Sequence, residues 1–587
     1  MAPHRLGPAR IGIGLIQGVL LYLLYTALQD KLWPATAPLL FAPLVMLGVL
    51  LPVILISALG HVPRRTLAGW MSAAAIAITL LAIHDIWRRL GGVDVPRPTP
   101  SGALSASLAA GCFIAHALVL AGARERRRIA AYATYFDVAW TLGLQLAFSA
   151  LFVGATWLVL QLGASLFDLI RLNFLSQAME KAWFSIPVSV FAFACAMHLT
   201  DVKPAIVRGI RNLVHVLLSW TLPVLTLLVA GFLASLPFTG LEPLWATRSA
   251  AGMLLSAAAC FVVLINAAWQ DGSERPARII AVSARVASLL LAPLTLLAAY
   301  ALALRVLDHG WSTNRVIAAA CLLVAVCYAG GYAAAAARRG WLPTLAGVNI
   351  AAAFTVLGVL ALLLSPLLDP VRIAVASQLA RLDAGQITLR QLDVDHLWNH
   401  GERYGRAALA RLQGSTTGPD AGWLRTELAR LRQPARDTGA INMVKQLHVW
   451  PTGATLPAGF AQNDWRGMQQ STRLPWCMRT QNAVCDAFVL DLGGGARPEV
   501  VVVGRNVNGN GHESAVLRQD AHGAWELAAT LPELYGDCAP LFNAMRAGRL
   551  RAAPPVLADL EIDGRRIPLQ NDPGHLDCTT PSAKPVN

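Results

Sequence analysis

The sequence predicts a mainly α-helical polytopic membrane protein, with about eleven transmembrane helices followed by a C-terminal soluble α+β domain. Three observations predict it. Only 14% of the 587 residues are charged, where a soluble domain carries about 25%, and mean hydropathy is +0.51. Apolar runs long enough to cross a bilayer recur through residues 1–365. Beyond residue 370 the apolar runs shorten to strand length, with Gly, Asn and Asp turns between them.

A spanning helix needs roughly 20 mainly apolar residues, because about 30 Å of hydrocarbon is crossed at about 1.5 Å per residue. Runs of that kind lie at 11–29, 36–59, 67–86, 101–122, 137–162, 184–200, 212–235, 250–268, 282–304, 315–336 and 341–364. The stretch 135–170 is long enough to contain a re-entrant piece, and 184–200 is short. The first run follows Arg5 and Arg10 as a signal peptide would. It has about 18 apolar positions and no small-x-small cleavage site before Gln29-Asp30, so it reads as an uncleaved signal anchor.

A net charge of +14 raises the question of a nucleic-acid partner, and its distribution argues against one. Residues 371–587 hold 23 Lys/Arg against 21 Asp/Glu, so the excess sits on short loops between apolar runs, where basic residues set membrane topology. With the N-terminus inside, fifteen Lys/Arg flank the inner ends of the runs and nine the outer ends, Arg88, Arg89 and Arg97 among the latter. The expectation is a cytoplasmic N-terminus and, after eleven spans, a periplasmic C-terminal domain. The parts are then a transmembrane domain (1–365), a membrane-proximal helical region (366–435) and a β-rich soluble domain (436–587).

Cysteine placement bears on the compartment. Cys112, Cys195, Cys260, Cys321 and Cys327 lie in apolar runs, where a thiol packs as a small hydrophobe. Cys477, Cys485, Cys538 and Cys578 fall in the polar C-terminal part, an even set that suits disulfides in an oxidising compartment. Of the three connectivities four cysteines allow, Cys477–Cys485 with Cys538–Cys578 is the one expected. No CxxC pair supports the rival zinc site, and no metal or cofactor is expected.

Ionisable residues at membrane depth are functional candidates by default. His116 lies about two turns from a helix end, as a neutral imidazole bonded to a neighbouring helix or as a proton relay. His84 and Asp85 sit at a helix exit where water reaches them, Arg285 is placed to snorkel to the headgroups, and Asp137, His198 and Asp201 lie near ends. No run has a carboxylate at its centre. Pro52, Pro187, Pro223 and Pro293 fall inside runs, either as ordinary membrane-helix prolines or as breaks around a midplane site.

Three stretches carry more information. The eighth run ends in Asn266-Ala267-Ala268-Trp269-Gln270-Asp271-Gly272. The ninth contains Leu291-Ala292-Pro293-Leu294 and closes on Ala299-Tyr300-Ala301-Leu302-Ala303-Leu304-Arg305. The next outer loop reads Gly310-Trp311-Ser312-Thr313-Asn314-Arg315. Together they resemble the bacterial membrane family called domain of unknown function 4153. The likeness is clearest over 260–335 and looser back to 135. It returns after the last run in Val394-Asp395-His396-Leu397 and Arg403-Tyr404-Gly405-Arg406-Ala407-Ala408-Leu409. The resemblance implies a multi-pass inner-membrane architecture and no particular reaction. In the outer loop, Trp311 suits a membrane interface, Arg305 and Arg315 flank it, and Asp308 is placed to pair with either. These four residues are candidates for holding an anionic lipid headgroup or docking the C-terminal domain, against the plainer role of an aromatic anchor with snorkelling arginines.

After Pro366 and Pro370, residues 371–383, 403–413 and 423–431 read as helices. Residues 446–450, 487–492, 499–503, 515–517 and 525–528 have strand composition. The stretch 485–500 resembles an FG-GAP-type propeller repeat, but only Asp491 and Glu499 remain as acidic positions. Calcium needs about six to eight oxygens, so a hairpin without calcium is expected. No Gly-x-Ser-x-Gly, His-Glu-x-x-His or Walker pattern occurs. His512-Glu513 reads as a loop without a partner, and Asp464-Trp465 and Asp395-His396 as surface pairs. The sequence therefore points to a non-enzymatic envelope protein whose periplasmic domain binds a protein, lipid or glycan. The rivals are a transporter or flippase for a small or lipid-like substrate, and a membrane-embedded transferase on a lipid-linked substrate. The last would need an acidic or histidine cluster at the outer face, for which Asp308 and His309 offer a start.

Overall fold

The computed structural model describes residues 6–90, 98–202, 204–241, 250–415, 417, 419–432, 443–451, 453–465, 473–479, 484–492, 498–505, 511–520, 523–531, 534–535, 539–550, 560–562 and 565–567. The chain divides into two compact units, residues 1–432 and 433–587.

Among the described residues of the first unit, eleven helices are long and apolar enough to span a membrane. They are α1 (Leu6–Gln29), α2 (Pro38–Ala58), α3 (Arg64–Arg89), α4 (Gly102–Glu125) and α5 (Tyr132–Leu169), then, after the short α6 (Phe174–Glu180), α7 (Ala182–Val202), α8 (Pro204–Thr239), α9 (Ala250–Trp269), α10 (Arg278–His309), α11 (Thr313–Ala337) and α12 (Leu345–Leu364). The protein is a multi-pass membrane protein. The long run does not fold back on itself: α5 is one continuous helix of 38 residues, about 57 Å at helical rise, so it projects well beyond the hydrocarbon. We call the bundle face at which α1 begins proximal and the opposite face distal.

Without a hydrophobic drive between helices in lipid, close packing has to come from small residues. Gly14 and Gly18, spaced i, i+4 on α1, let α7 approach until an added Cβ would lie 2.3 Å from Ala194 Cβ and 2.8 Å from Pro187 Cα. Gly331 on α11 plays the same part against Val348 of α12, at 2.4 Å. The largest buried cluster in the bundle gathers Phe261 and Ile265 of α9, Ala284, Leu291 and Leu294 of α10, and Tyr332 of α11.

Four further helices form a collar: α13 (Pro370–Asp383), α14 (Val394–Asn399), α15 (Glu402–Ser415) and α16 (Pro419–Arg432). Asp369 caps α13 by accepting from Val371 N at 2.9 Å, where a carboxylate also suits the helix dipole. The collar has its own core around Val375, Leu397, Leu409, Leu424 and Leu428. Gly405 admits the turn between α14 and α15: a Cβ there would sit 2.0 Å from the Leu397 carbonyl oxygen.

In the second unit, α17 (Met443–Gln446) leads into β1 (Leu447–Trp450). Then come α18 (Trp476–Arg479), β2 (Cys485–Leu490), β3 (Glu499–Arg505), β4 (Gly511–Gln519), β5 (Trp525–Ala529), β6 (Leu534–Tyr535), α19 (Ala539–Arg546), β7 (Leu560–Ile562) and β8 (Arg565–Ile567). One sheet runs β1-β2-β3-β4-β5 with β6 paired to β4, and β7-β8 form a separate pair. The stretch 485–500 supplies an antiparallel β2–β3 pairing with Leu490 opposite Glu499, while β1 joins β2 in parallel. Both faces of the sheet are covered, which is why β3 reads Val500-Val501-Val502-Val503 without alternation. Val500 and Val502 face Phe460, Trp465 and Trp525; Val501 and Val503 face Phe542 and Met545 of α19. Trp465, expected at the surface, is 2% exposed and donates its indole N–H to Phe460 O at 3.0 Å. His512-Glu513, expected in a loop, opens β4, and Glu513 accepts from Trp476 N at 2.8 Å and Arg479 Nη2 at 3.1 Å.

Candidate functional site: a polar cleft at the proximal face

Along α5, Asp137, Thr141 and Gln145 recur every four residues and so share one helical face. That face opens on a cleft of about 570 Å³, completed by Ser57 of α2 and His61 just beyond it, Leu120 and Arg124 of α4, and Thr200 and Asp201 of α7. Each carboxylate lies between two basic side chains. Asp137 accepts from Arg124 Nη1 at 2.7 Å and, through its other oxygen, from Arg211 of α8. Asp201 accepts from Arg10 Nη1 at 2.6 Å and faces His61 Nε2 at 2.9 Å. Arg10 is 2% exposed and its second nitrogen donates to Leu59 O at 2.6 Å, tying α1, α2 and α7 together. Three guanidinium groups thus meet two carboxylates. Gln145 is 6% exposed, and among the described residues its side-chain amide has no partner, although it lines the cleft.

Behind the cleft, His116 bridges helices. Trp70 Nε1 donates to His116 Nδ1 at 3.1 Å. Since an indole N–H can only donate, His116 Nδ1 is the acceptor, and Nε2–H of the neutral ring donates to Ser57 Oγ at 2.7 Å.

A second polar group closes on itself. Asn349 Nδ2 donates to Tyr132 Oη at 2.9 Å and Asn266 Oδ1 at 2.6 Å; Tyr332 Oη donates to Asn349 Oδ1 at 2.7 Å; Asn266 Nδ2 donates to Tyr332 Oη at 2.8 Å. Four side chains from α5, α9, α11 and α12 thereby satisfy one another within the bundle. A cavity of about 240 Å³, walled by Phe113, Phe136 and Trp140, reaches Tyr132, Asn266 and Asn349 of this node. Next along the chain, Trp269 donates to Trp341 O at 3.2 Å, and Gly272 at φ +79° leaves room for its ring. The hydroxyl and amide of Ser273 hold the Asp271 carboxyl below the usual range. The Asn266-to-Gly272 stretch therefore builds a helix-ending turn.

At the distal face, His84 and Asp85 are 8% and 3% exposed, not open to water as expected, because Tyr404 of the collar lies against His84 and the turn at Ser101 closes over Asp85. Asp85 accepts from Ser101 Oγ at 2.6 Å, Ser101 N at 3.0 Å, Arg88 at 3.1 Å and Arg89 at 2.7 Å. Arg88 reaches on to Glu402 at 3.2 Å and Asp369 at 3.9 Å. Arg403 lies over the Trp87 ring at 4.4 Å, and Tyr404 Oη is 3.4 Å from His84 Nε2. Burial pushes the Glu402 carboxyl above its usual value despite Arg88. Acidic and histidine groups do gather here, engaged as a clamp between α3 and the collar.

The loop singled out for Arg305, Asp308, Trp311 and Arg315 is also occupied by the collar. Trp311 N donates to Ser377 Oγ at 3.0 Å, and Arg381 Nη2 donates to the main-chain carbonyl of Asp308 at 3.0 Å. Gln378 Nε2 donates to His309 O at 3.1 Å. Arg315 turns onto Gly310 O at 2.6 Å, a different acceptor from the expected Asp308 carboxylate, with the charges of Arg305 and Arg381 near it. Arg285, expected to snorkel, donates to Gly340 O at 2.6 Å and Arg338 O at 3.1 Å, and so caps the end of α11. In the second unit, Cys477 and Cys485 Sγ are at disulfide distance, 1.93 Å. Cys538 and Cys578 lie outside the described residues.

The cleft is not legible along the chain because its parts are single polar residues from six different helices. The i, i+4, i+8 stripe on α5 was the available signal. Compared with known proteins, the chain matches the family model described as domain of unknown function (DUF4153) over residues 16–412, which takes in the bundle and most of the collar. No curated protein and no solved structure matches it.

Proposed function

The chain belongs to the DUF4153 family, and from that premise we propose a non-enzymatic protein of the bacterial inner membrane whose C-terminal β-domain works in the periplasm, binding an envelope protein, lipid or glycan. The observation that carries this reading is the clamp. Arg88 of α3 joins Asp369 and Glu402, so the collar is fastened to the distal face. No described helix past Arg432 is long and apolar enough to recross the membrane. The Lys/Arg asymmetry supports a periplasmic distal face, and the Cys477–Cys485 pair suits an oxidising compartment. Alkaline phosphatase fused after Pro370 should be active, whereas a bright cytoplasmic fluorescent protein at that point would sink the orientation. A chain ending after Arg432 should accumulate in the membrane yet fail to complement a deletion strain; full complementation would remove the β-domain from the function.

The transporter or flippase reading has its own observation, the 570 Å³ proximal cleft among α2, α4, α5 and α7, with Pro52 and Pro187 inside two of those helices. The transferase reading finds less support, since the distal carboxylates are taken up by the clamp.

A further inference from the structure

We propose that the proximal cleft binds the head of a phosphodiester lipid, with the phosphate at Arg124 and His61 and the glycerol and ester oxygens along Thr141 and Gln145. This names a ligand class for the cleft and holds whether or not the lipid is moved across the bilayer.

Charge comes first. Asp137 and Asp201 are already bracketed by Arg10, Arg124, Arg211 and His61. A cationic ligand would find each carboxylate already engaged by two basic side chains, the buried Arg10 among them. An anion meets one positive charge in excess, three guanidinium groups against two carboxylates, before His61 is counted. That matches the single charge of a phosphodiester. The Arg124 side chain is 63% exposed and that of His61 51%. Arg124 lines the cleft and makes one described bond, to Asp137, and a planar guanidinium fork suits an oxyanion.

Depth comes next. From Asp137 to Gln145 the stripe descends about 12 Å at helical rise, past apolar Val138, Leu142 and Leu120. Gln145 is 6% exposed and lines the cleft without a described partner for its amide, so a polar ligand atom reaching it gains a hydrogen bond. Thr141 also lines the cleft without a described partner for its hydroxyl. A fatty-acid carboxylate has no polar atoms beyond its head and would leave both unmet. Size separates the remaining sources: 570 Å³, at about 30 Å³ per water-sized atom group, holds roughly nineteen of them, far more than a free phosphate fills.

The test uses the full chain purified in a maltoside detergent and native mass spectrometry with dioctanoyl-phosphatidylglycerol, octanoate and inorganic phosphate. Phosphatidylglycerol should bind, and Arg124→Gln should weaken it at least about tenfold, the effect of losing a charge-assisted bond. Gln145→Leu should weaken it about fivefold or more, and Arg339→Gln, on an exposed proximal loop, should leave it unchanged. Equal binding to wild type, Arg124→Gln and Gln145→Leu would overturn the site, as would no binding at all. Octanoate or phosphate binding as tightly as the lipid, and lost in Arg124→Gln, would replace the lipid with a simple anion. A bound lipid that does not cross the bilayer in proteoliposomes would remove the flippase reading alone.

Discussion

Replacing Arg88 by methionine removes the cation at the centre of the distal clamp while keeping its apolar length. Asp85 keeps Arg89 and Ser101, so its own loss is one ion pair. Asp369, 1% exposed, keeps the Val371 N–H that it caps, at 2.9 Å. Glu402 loses its one described ion-pair partner while remaining largely buried. Removing one partner of a buried pair costs about 3–5 kcal/mol. The lower end applies here, since two of the three carboxylates stay partnered. About 3 kcal/mol corresponds to roughly a hundredfold shift in the opening equilibrium. The collar should open locally, not with the whole bundle, so amide exchange over 370–383 and 402–415 should accelerate about a hundredfold at pH 7.5. The pH dependence has a definite sign. The Glu402 carboxyl is raised in the folded protein, by burial above all, so its contribution is most favourable below its ordinary value. That contribution declines as pH rises through the raised value. Without Arg88 the carboxyl rises further, and the penalty of the substitution should shrink as pH falls towards 5. Adding Glu402→Gln should restore much of the protection. Exchange within threefold of wild type at pH 7.5, or a double variant no better than the single, would refute the clamp.

Three further outcomes follow from close contacts. Gly331→Ala puts a Cβ 2.4 Å from Val348, whereas Gly330→Ala meets nothing within 4 Å; the first should lose about 1–3 kcal/mol in a reversible unfolding assay and the second almost nothing. Tyr332→Phe removes one donor and one acceptor from the Tyr132–Asn266–Tyr332–Asn349 node, and a loss of about 1–2 kcal/mol is expected for hydrogen bonds within the membrane. Gly504→Ala on β3 would place its Cβ 2.2 Å from Cys485 Sγ, so thiol labelling of the denatured protein should detect two additional free cysteines.

The family-like stretches show how far a linear pattern can be read. Asn266, Gly272, Trp311, Tyr404 and Gly405 were visible as a motif, but the sequence did not reveal what they do. The structure spends them on architecture: Asn266 in the polar node, Gly272 beneath the Trp269 ring, the Trp311 amide on Ser377, Tyr404 against His84 and Gly405 against the Leu397 carbonyl. Asp137 and Asp201 read along the chain only as charges near helix ends, and in the packed bundle they face one cleft.

Local properties were enough for some conclusions. Spanning helices need apolar length and little else, because hydrocarbon satisfies no backbone group, and so eleven spans, the polar C-terminal part and its strands could be read one segment at a time. The cleft depends on where the ends of α1, α2, α4, α5, α7 and α8 meet, and Asp201 is 191 residues from the Arg10 that neutralises it. Pairings across such separations leave no periodicity along the chain. Only the packed bundle decides whether an end-of-helix charge is solvated, clamped beneath a collar or turned into a site, because only packing sets the distance to its partner and its access to water.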